Sequence, residues 1–289
     1  MSALMGTALP VLVMAAMVVV GLELTPADLA RVLRYPAQVV VGLLAQVLVL
    51  PLIGAALVML LRPDPAVAGG LLLVAVAPQA TASNLYCLVA RADIALTVTL
   101  TAVSSAVALL STPVLAAMLF RLLLDPAAGI RLPVGPVAWQ ALSGLLMPIA
   151  LGMALRARAP RFVARWRGPV RWASLGALGL LLVVLLVGAR APIARHFRVI
   201  VLAATLFTVA AAGAGFLLSR ALSWPRDSAV TMVAAFPARS LSLATLVAVN
   251  VLGRVDFLSF AVVFLVVQTA LLLPVMLLAR SPVGEVRSR

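Results

Sequence analysis

The chain has 289 residues, 65% of them hydrophobic and only 10% charged, with a mean hydropathy of +1.22. Soluble domains carry about a quarter charged residues, so a soluble globular protein is excluded; at about 20 apolar residues per crossing the length holds roughly nine membrane spans and no separate soluble domain. All 22 basic residues are arginine against 8 acids, and because they punctuate apolar stretches the net charge of +14 is read as loop charge facing anionic lipid, with no nucleic-acid partner.

Charges and prolines divide the chain into nine apolar segments, at 3–22, 36–61, 66–90, 94–120, 134–155, 170–189, 197–219, 228–250 and 257–279. The predicted fold is therefore an all-α integral membrane protein, one polytopic domain over 1–289. The first segment is not read as a cleaved leader, because no positive residue precedes Arg31. After it, Thr25-Pro26-Ala27-Asp28 is an N-cap followed by proline, which predicts a short interfacial helix over 27–34. Segment two carries Gln46 five residues before Pro51. Cys87, in segment three, is the single cysteine, so no internal disulfide and no cysteine metal cluster is available.

Segment three is interrupted by Ala77-Pro78-Gln79-Ala80-Thr81-Ala82-Ser83-Asn84, and segment eight by Phe236-Pro237-Ala238-Arg239-Ser240-Leu241-Ser242. Proline removes a donor and obstructs the carbonyl four residues back. The small polar residues that follow let neighbours, water or a ligand satisfy the freed backbone. Pro78 and Pro237 are 159 residues apart, and Pro113 and Pro274, near the ends of the following spans, are 161 apart. The spacing predicts a duplication, with 1–122 as a four-span first repeat and 134–280 as a five-span second. An odd number of crossings separates the prolines, so corresponding helices run in opposite directions, as in secondary transporters. Thr97 and Thr101 share a face of segment four just after the first break, and Gln268 and Thr269 lie inside segment nine. All of these polar groups are expected to converge on one region, where grouped hydroxyl and amide oxygens bind a hard cation or a polar solute.

Arginine bias sets orientation. Fourteen arginines fall on the side of Arg31, Arg91 and the 156–171 loop, and seven on the side of Arg62, Arg121 and the 190–198 loop. The N-terminus is thus expected outside and the C-terminus in the cytoplasm, in the cell's inner (plasma) membrane. The remaining arginine, Arg239, stands in the middle of segment eight, where no span supplies an acid to pair with it. A central arginine costs roughly 2.5–3.5 kcal/mol on insertion scales. Either the span is displaced and Arg239 reaches an interface, or it is a functional group facing a polar interior; the second reading is preferred. With no membrane acid and one histidine, His196, in a short loop, an enzyme is not expected.

The run Pro78-Gln79-Ala80-Thr81-Ala82-Ser83-Asn84, with Ala90-Arg91-Ala92-Asp93-Ile94-Ala95-Leu96-Thr97-Val98-Thr99-Leu100-Thr101-Ala102-Val103-Ser104 after it, resembles the bile acid/sodium symporter family. So do Gly21-Leu22-Glu23-Leu24-Thr25-Pro26-Ala27-Asp28-Leu29 and Gln46 with Leu50-Pro51-Leu52. The resemblance covers essentially the whole chain, as a nine-span form lacking the first helix of the ten-span version. It implies an alternating-access carrier for an organic anion, bile-acid-like or otherwise amphipathic and carboxylated, working as a monomer in the lipid bilayer. Segments two, three, four, seven, eight and nine would form a core carrying the crossed broken helices, and one, five and six a panel.

Carried over residue by residue, Ser83, Asn84, Thr97 and Thr101 match ligands of one sodium ion, and Gln46 a ligand of a second. At the second break the match fails. The sodium-coupled pattern Glu-x-Gly-x-Gln-Asn-x-Gly falls on Ala235, Pro237, Arg239, Ser240 and Ser242, so the glutamate becomes Ala235, the glutamine Arg239 and the asparagine Ser240. Gln79 and Ala80 replace a pair of glycines in the first half. Losing a carboxylate and gaining a guanidinium both oppose cation binding in a buried site. The expectation is a carrier not coupled to sodium in the usual way, with no cofactor and sodium left open. Arg239 then either mimics the second sodium, bonding Gln46 and freed carbonyls, or captures a substrate anion. The alternatives are a sodium-coupled symporter with a rearranged site and a passive channel or facilitator on the same scaffold.

Overall fold

The computed structural model describes residues 14, 15, 18, 21, 22, 36–124, 135, 136, 139, 142–159 and 193–280. The predicted interfacial helix at 27–34, segment six at 170–189 and most of segment one lie outside these residues. Everything described is helical apart from short connections and one isolated bridge.

Helix α1 runs from Pro36 to Leu61, with the bounds its apolar run predicts. It is apolar all round, as a helix with lipid on one side and protein on the other must be. Val39, Leu43, Gln46, Leu50 and Gly54 are buried, whereas Val40, Leu44, Leu48 and Leu52, spaced by four, stay uncovered by the described residues. Asp64 then turns the chain: its carboxylate accepts from Ala66 N at 2.9 Å, with Pro65 at the first helical position of α2, Pro65–Val76. Every residue of α2 from Ala66 to Val76 is buried, so α2 is the axis of the bundle. Small residues let neighbours approach it. A Cβ on Gly54 would lie 2.7 Å from Ala75 Cβ, and one on Gly69 2.5 Å from the Phe257 ring.

The chain breaks after Val76 and resumes as α3, Ala82–Ala90. Asp93 caps α4, Ile94–Leu123, accepting from Leu96 N at 3.0 Å. Helix α4 bends by 62° between its arms 94–108 and 110–123. The bend falls four residues before Pro113, where the ring meets the carbonyl of residue 109. A π-helical turn, Leu142–Leu146, leads into α5, Met147–Arg158. Here Gly21 and Gly152 pack backbone to backbone, and Arg156 Nη1 donates to Leu22 O at 3.0 Å.

Helix α6 covers Ile193–Ala221. Segment eight divides into α7, Arg226–Ala235, and α8, Leu241–Leu246, which continues as a π-helical turn over Val247–Val251. A 3-10 turn, Val255–Phe257, opens α9, Leu258–Leu278. Before it, Arg254 is clamped by Asp256 at 2.6 Å, which holds the guanidinium more firmly charged, and it lies 4.8 Å from the Phe257 ring centre. Phe207, Phe260 and Phe264 close the core between α6 and α9, the last two stacked at 5.8 Å.

Among the described residues three helices are long and apolar enough to cross a membrane, Pro36–Leu61, Ile193–Ala221 and Val255–Leu278, and the bent α4 is a fourth if its arms count as one span. By contrast α2, with 12 residues, rises only about 18 Å, little more than half the hydrocarbon thickness. Helices α3 and α7, of 9 and 10 residues, are shorter still. Segments three and eight are therefore each made of two short helices meeting at a break.

Candidate functional site

The two breaks meet each other. Gln79 and Arg239 face one another as an isolated antiparallel bridge. Ser240 N donates to Pro78 O and Ala80 N to Ala238 O, both at 2.8 Å. The backbone groups freed by Pro78 are then accounted for one by one, as burial in an apolar bundle requires. Val76 O accepts from Thr112 Oγ1 at 2.9 Å, Gln79 N donates to Ser104 Oγ at 3.1 Å, and Ala80 O accepts from Ser83 N and Ser83 Oγ. Ala77 O accepts from Arg239 Nη2. That carbonyl is at the C-terminal, negative end of α2, so the guanidinium rests on the favourable pole of a helix.

Arg239 is 5% exposed, and its guanidinium is turned to Gln46 and Ala77. Its Nη1 donates to Gln46 Oε1 at 3.0 Å, while Nε is buried without a partner among the described residues. Gln46 Nε2 in turn donates to Gln79 Oε1 at 3.1 Å. Gln79 Nε2 then meets Ser83 Oγ at 2.9 Å, Thr97 Oγ1 and Thr101 Oγ1 at 3.1 Å each, and Thr97 O at 3.4 Å. One continuous polar chain thus runs from Arg239 through Gln46 and Gln79 to the hydroxyls of α3 and α4. It is nearly solid: the void lined by Gln46, Pro78, Ser104 and Arg239 measures about 10 Å³, about enough for a single water.

Of the residues singled out in the sequence, Gln46, Ser83, Thr97, Thr101 and Arg239 come together here. Asn84 stands apart from their bonds, its Oδ1 buried and unpartnered among the described residues. Ser240 contributes its backbone N–H, and its side chain makes no capping bond. Ala235 is fully buried at the end of α7 as part of the apolar core. The expected convergence of all the polar residues is corrected at Gln268 and Thr269. They bond Tyr86 OH, at 3.3 and 3.0 Å, in a cluster between α3 and α9 away from Gln79.

Sequence reasoning missed three participants. Ser104 and Thr112 were legible in principle, since Thr97, Thr101, Ser104 and Thr112 step along one face of α4. Gln79 read only as one residue of the first break and a replaced glycine, yet it is the centre of the network.

An apolar helical bundle built around two crossed, interrupted helices is an integral membrane protein of the broken-helix type that transporters use. The particular family follows from its sequence. The pattern of the sodium bile acid symporter family matches residues 10–196, well over half the chain, and the chain belongs to that family. It is 34% identical over 150 residues to the probable sodium/metabolite cotransporter BASS2, chloroplastic, of Oryza sativa subsp. japonica, covering 52% of this chain and 34% of that protein. It is 30% identical over 206 residues to the probable sodium/metabolite cotransporter BASS1, chloroplastic, of Arabidopsis thaliana, covering 70% of this chain and 49% of that protein. The uncharacterized sodium-dependent transporter YocS of Bacillus subtilis is 34% identical over 138 residues, 47% of this chain and 40% of its own length. The chain thus spans about a third to a half of these relatives. By description the family and these relatives are transporters, not enzymes.

Proposed function

We propose that the protein is a secondary transporter that moves a small organic anion by alternating access and does not use sodium as its relatives' names describe. Nine spans in two inverted repeats, 1–122 and 134–280, carry a core with the crossed helices and a panel, in a plasma membrane with the N-terminus outside. The similar spacing of the prolines supports the repeat, and so does the direct pairing of Gln79 with Arg239, one from each half.

The observation that carries the reading is the seating of Arg239 on Gln46 Oε1 and Ala77 O. These are oxygens of the kind a hard monovalent cation takes, and a permanent cation already holds them. Ala235 leaves that region without the carboxylate that would offset a second charge. At 5% exposure, beside a void of about 10 Å³, the guanidinium has no room for an organic solute. That favours the sodium-mimic role over direct substrate capture.

The test is counterflow of a labelled organic carboxylate into proteoliposomes, with the solute chosen from those that raise the melting temperature of the purified protein. Saturable counterflow of equal rate in sodium, potassium and choline media is expected. A strong sodium requirement, lost on Ser83→Ala, would sink the idea. Arg239→Gln separates the two roles of the arginine: loss of transport for every solute fits the mimic, and selective loss of anionic solutes fits capture.

A further inference from the structure

The hydroxyl protons around Gln79 all point away from it. Thr97 Oγ1 donates to Ser83 Oγ at 3.1 Å, Ser83 Oγ to Ala80 O at 2.8 Å, and Thr101 Oγ1 to Thr97 O at 2.8 Å. With each proton committed, the three hydroxyls and the Thr97 carbonyl turn only lone pairs toward the centre. Four acceptors within 3.4 Å surround a single amide nitrogen that has two hydrogens to give. Donors are short on this side of the crossing, and the buried, unpartnered Asn84 Oδ1 next to Ser83 lengthens the deficit.

The amide's orientation is dictated from the other half of the protein. Arg239 is donor-only, so Gln46 must turn its oxygen to it and its nitrogen to Gln79. Gln79 must then present oxygen to Gln46 and nitrogen to the cage. Turning either amide over would set like groups against each other at two contacts. The relay therefore has one direction, from the guanidinium to the cage, and its two ends, Arg239 and Gln79, are the paired residues of the bridge.

We infer that the Gln79 side-chain amide is the built-in occupant of a four-oxygen cage formed by Ser83, Thr97 and Thr101, and that this one side chain decides whether the first half of the crossing takes a monovalent cation. The inference rests on the reading above, in which Arg239 already fills the second position. An acceptor-only cage of neutral oxygens suits either an N–H₂ group or a hard cation of single charge; with no carboxylate among its bonds it cannot balance a divalent one. Taking the donor away leaves the lone pairs facing one another, and a sodium ion relieves that repulsion.

The experiment needs no transported solute. The melting temperatures of wild type, Gln79→Ala and Gln79→Ala/Thr101→Val, purified in detergent, are compared in about 150 mM sodium, potassium and choline chloride. Wild type should melt within about 1 °C in all three, and Gln79→Ala should melt at least about 3 °C higher in sodium than in choline, with that gap closed by Thr101→Val. Gln79→Glu keeps the acceptor for Gln46 and makes the cage wholly oxygen, and it should show the same sodium-specific rise even where the alanine variant does not accumulate. If neither variant responds to sodium, failure of both to accumulate in sodium-containing medium included, the role of Gln79 is overturned and the reading of Arg239 stands. A sodium response in wild type overturns both.

Discussion

Removing the uncharged partner of the buried arginine should cost more than removing the arginine itself. In Gln46→Leu the guanidinium stays in the crossing but loses its bond to Gln46 Oε1, and Gln79 Oε1 loses its donor. A bond to a charged group contributes about 1.5–3 kcal/mol and a neutral one about 1, so the loss is about 3 kcal/mol. In Arg239→Leu both charge-assisted bonds go, to Gln46 and Ala77, a loss of about 4.5 kcal/mol. Against this, the chain no longer buries an arginine at mid-membrane, which returns about 3 kcal/mol and leaves a net cost of about 1.5. The double variant loses three bonds, about 5.5 kcal/mol, and recovers the same 3, for a net of about 2.5. Adding Arg239→Leu to Gln46→Leu is therefore expected to restore stability, by about 0.5–1 kcal/mol, although it is destabilising alone. The coupling is about −2 kcal/mol, the value of the bond that the two residues share. Thermal unfolding in detergent reads this directly, at on the order of 2–4 °C per kcal/mol for a chain of this size. Additive losses, with the double variant the least stable of the three, would show that Arg239 does not sit on Gln46 and refute the polar chain.

Other consequences are local. Gly70→Ala drives a methyl into Phe257 O and Phe260 Cβ, and overpacking of this kind costs about 1–3 kcal/mol; Gly213→Ala, with nothing within 4 Å of the new Cβ, is expected to stabilise α6 by up to about 1 kcal/mol, both read as shifts in melting temperature. Tyr86→Phe leaves Gln268 Nε2 and Thr269 Oγ1 facing a ring edge, for a loss of about 1–3 kcal/mol in the same assay. Cys87 is fully buried and is the only cysteine, so the native protein should resist maleimide labelling and take up one equivalent in SDS. Labelling of the native state at the denatured rate would contradict its buried place on α3, packed with Ala234 of α7.

Local physics made much of the helical part readable. A charge-free, largely apolar run between Tyr35 and Arg62 has one low-energy form in lipid, and α1 occupies 36–61. The interruptions at Pro78 and Pro237 were readable for the same reason, because proline acts within four residues of itself. Asp64 and Asp93 cap their helices by the same short reach, each bonding a backbone N–H two or three residues ahead, but neither was singled out from the sequence. The bend in α4 was not anticipated, although Pro113 was noticed, because a membrane helix accommodates proline with or without a kink according to its neighbours. Gln268 and Thr269 were drawn to the wrong partners because polarity alone says that a buried group needs a bond and not where the bond lies.

By itself the sequence determined that the chain lives in a membrane, where several of the described helices run, where two segments break, and that one arginine lies deep among apolar residues without an acid. Each of these depends on residue types within a turn or two. What that arginine does was decided in three dimensions, by oxygens 162 and 193 residues away in the chain. So was the importance of Gln79, whose bonds reach across 33 residues to Gln46, 18 to Thr97 and 22 to Thr101. A side-chain amide announces neither its partners nor its orientation. Only when the two breaks were laid against each other did the donor-only guanidinium at one end of the relay set every hydrogen bond to the other.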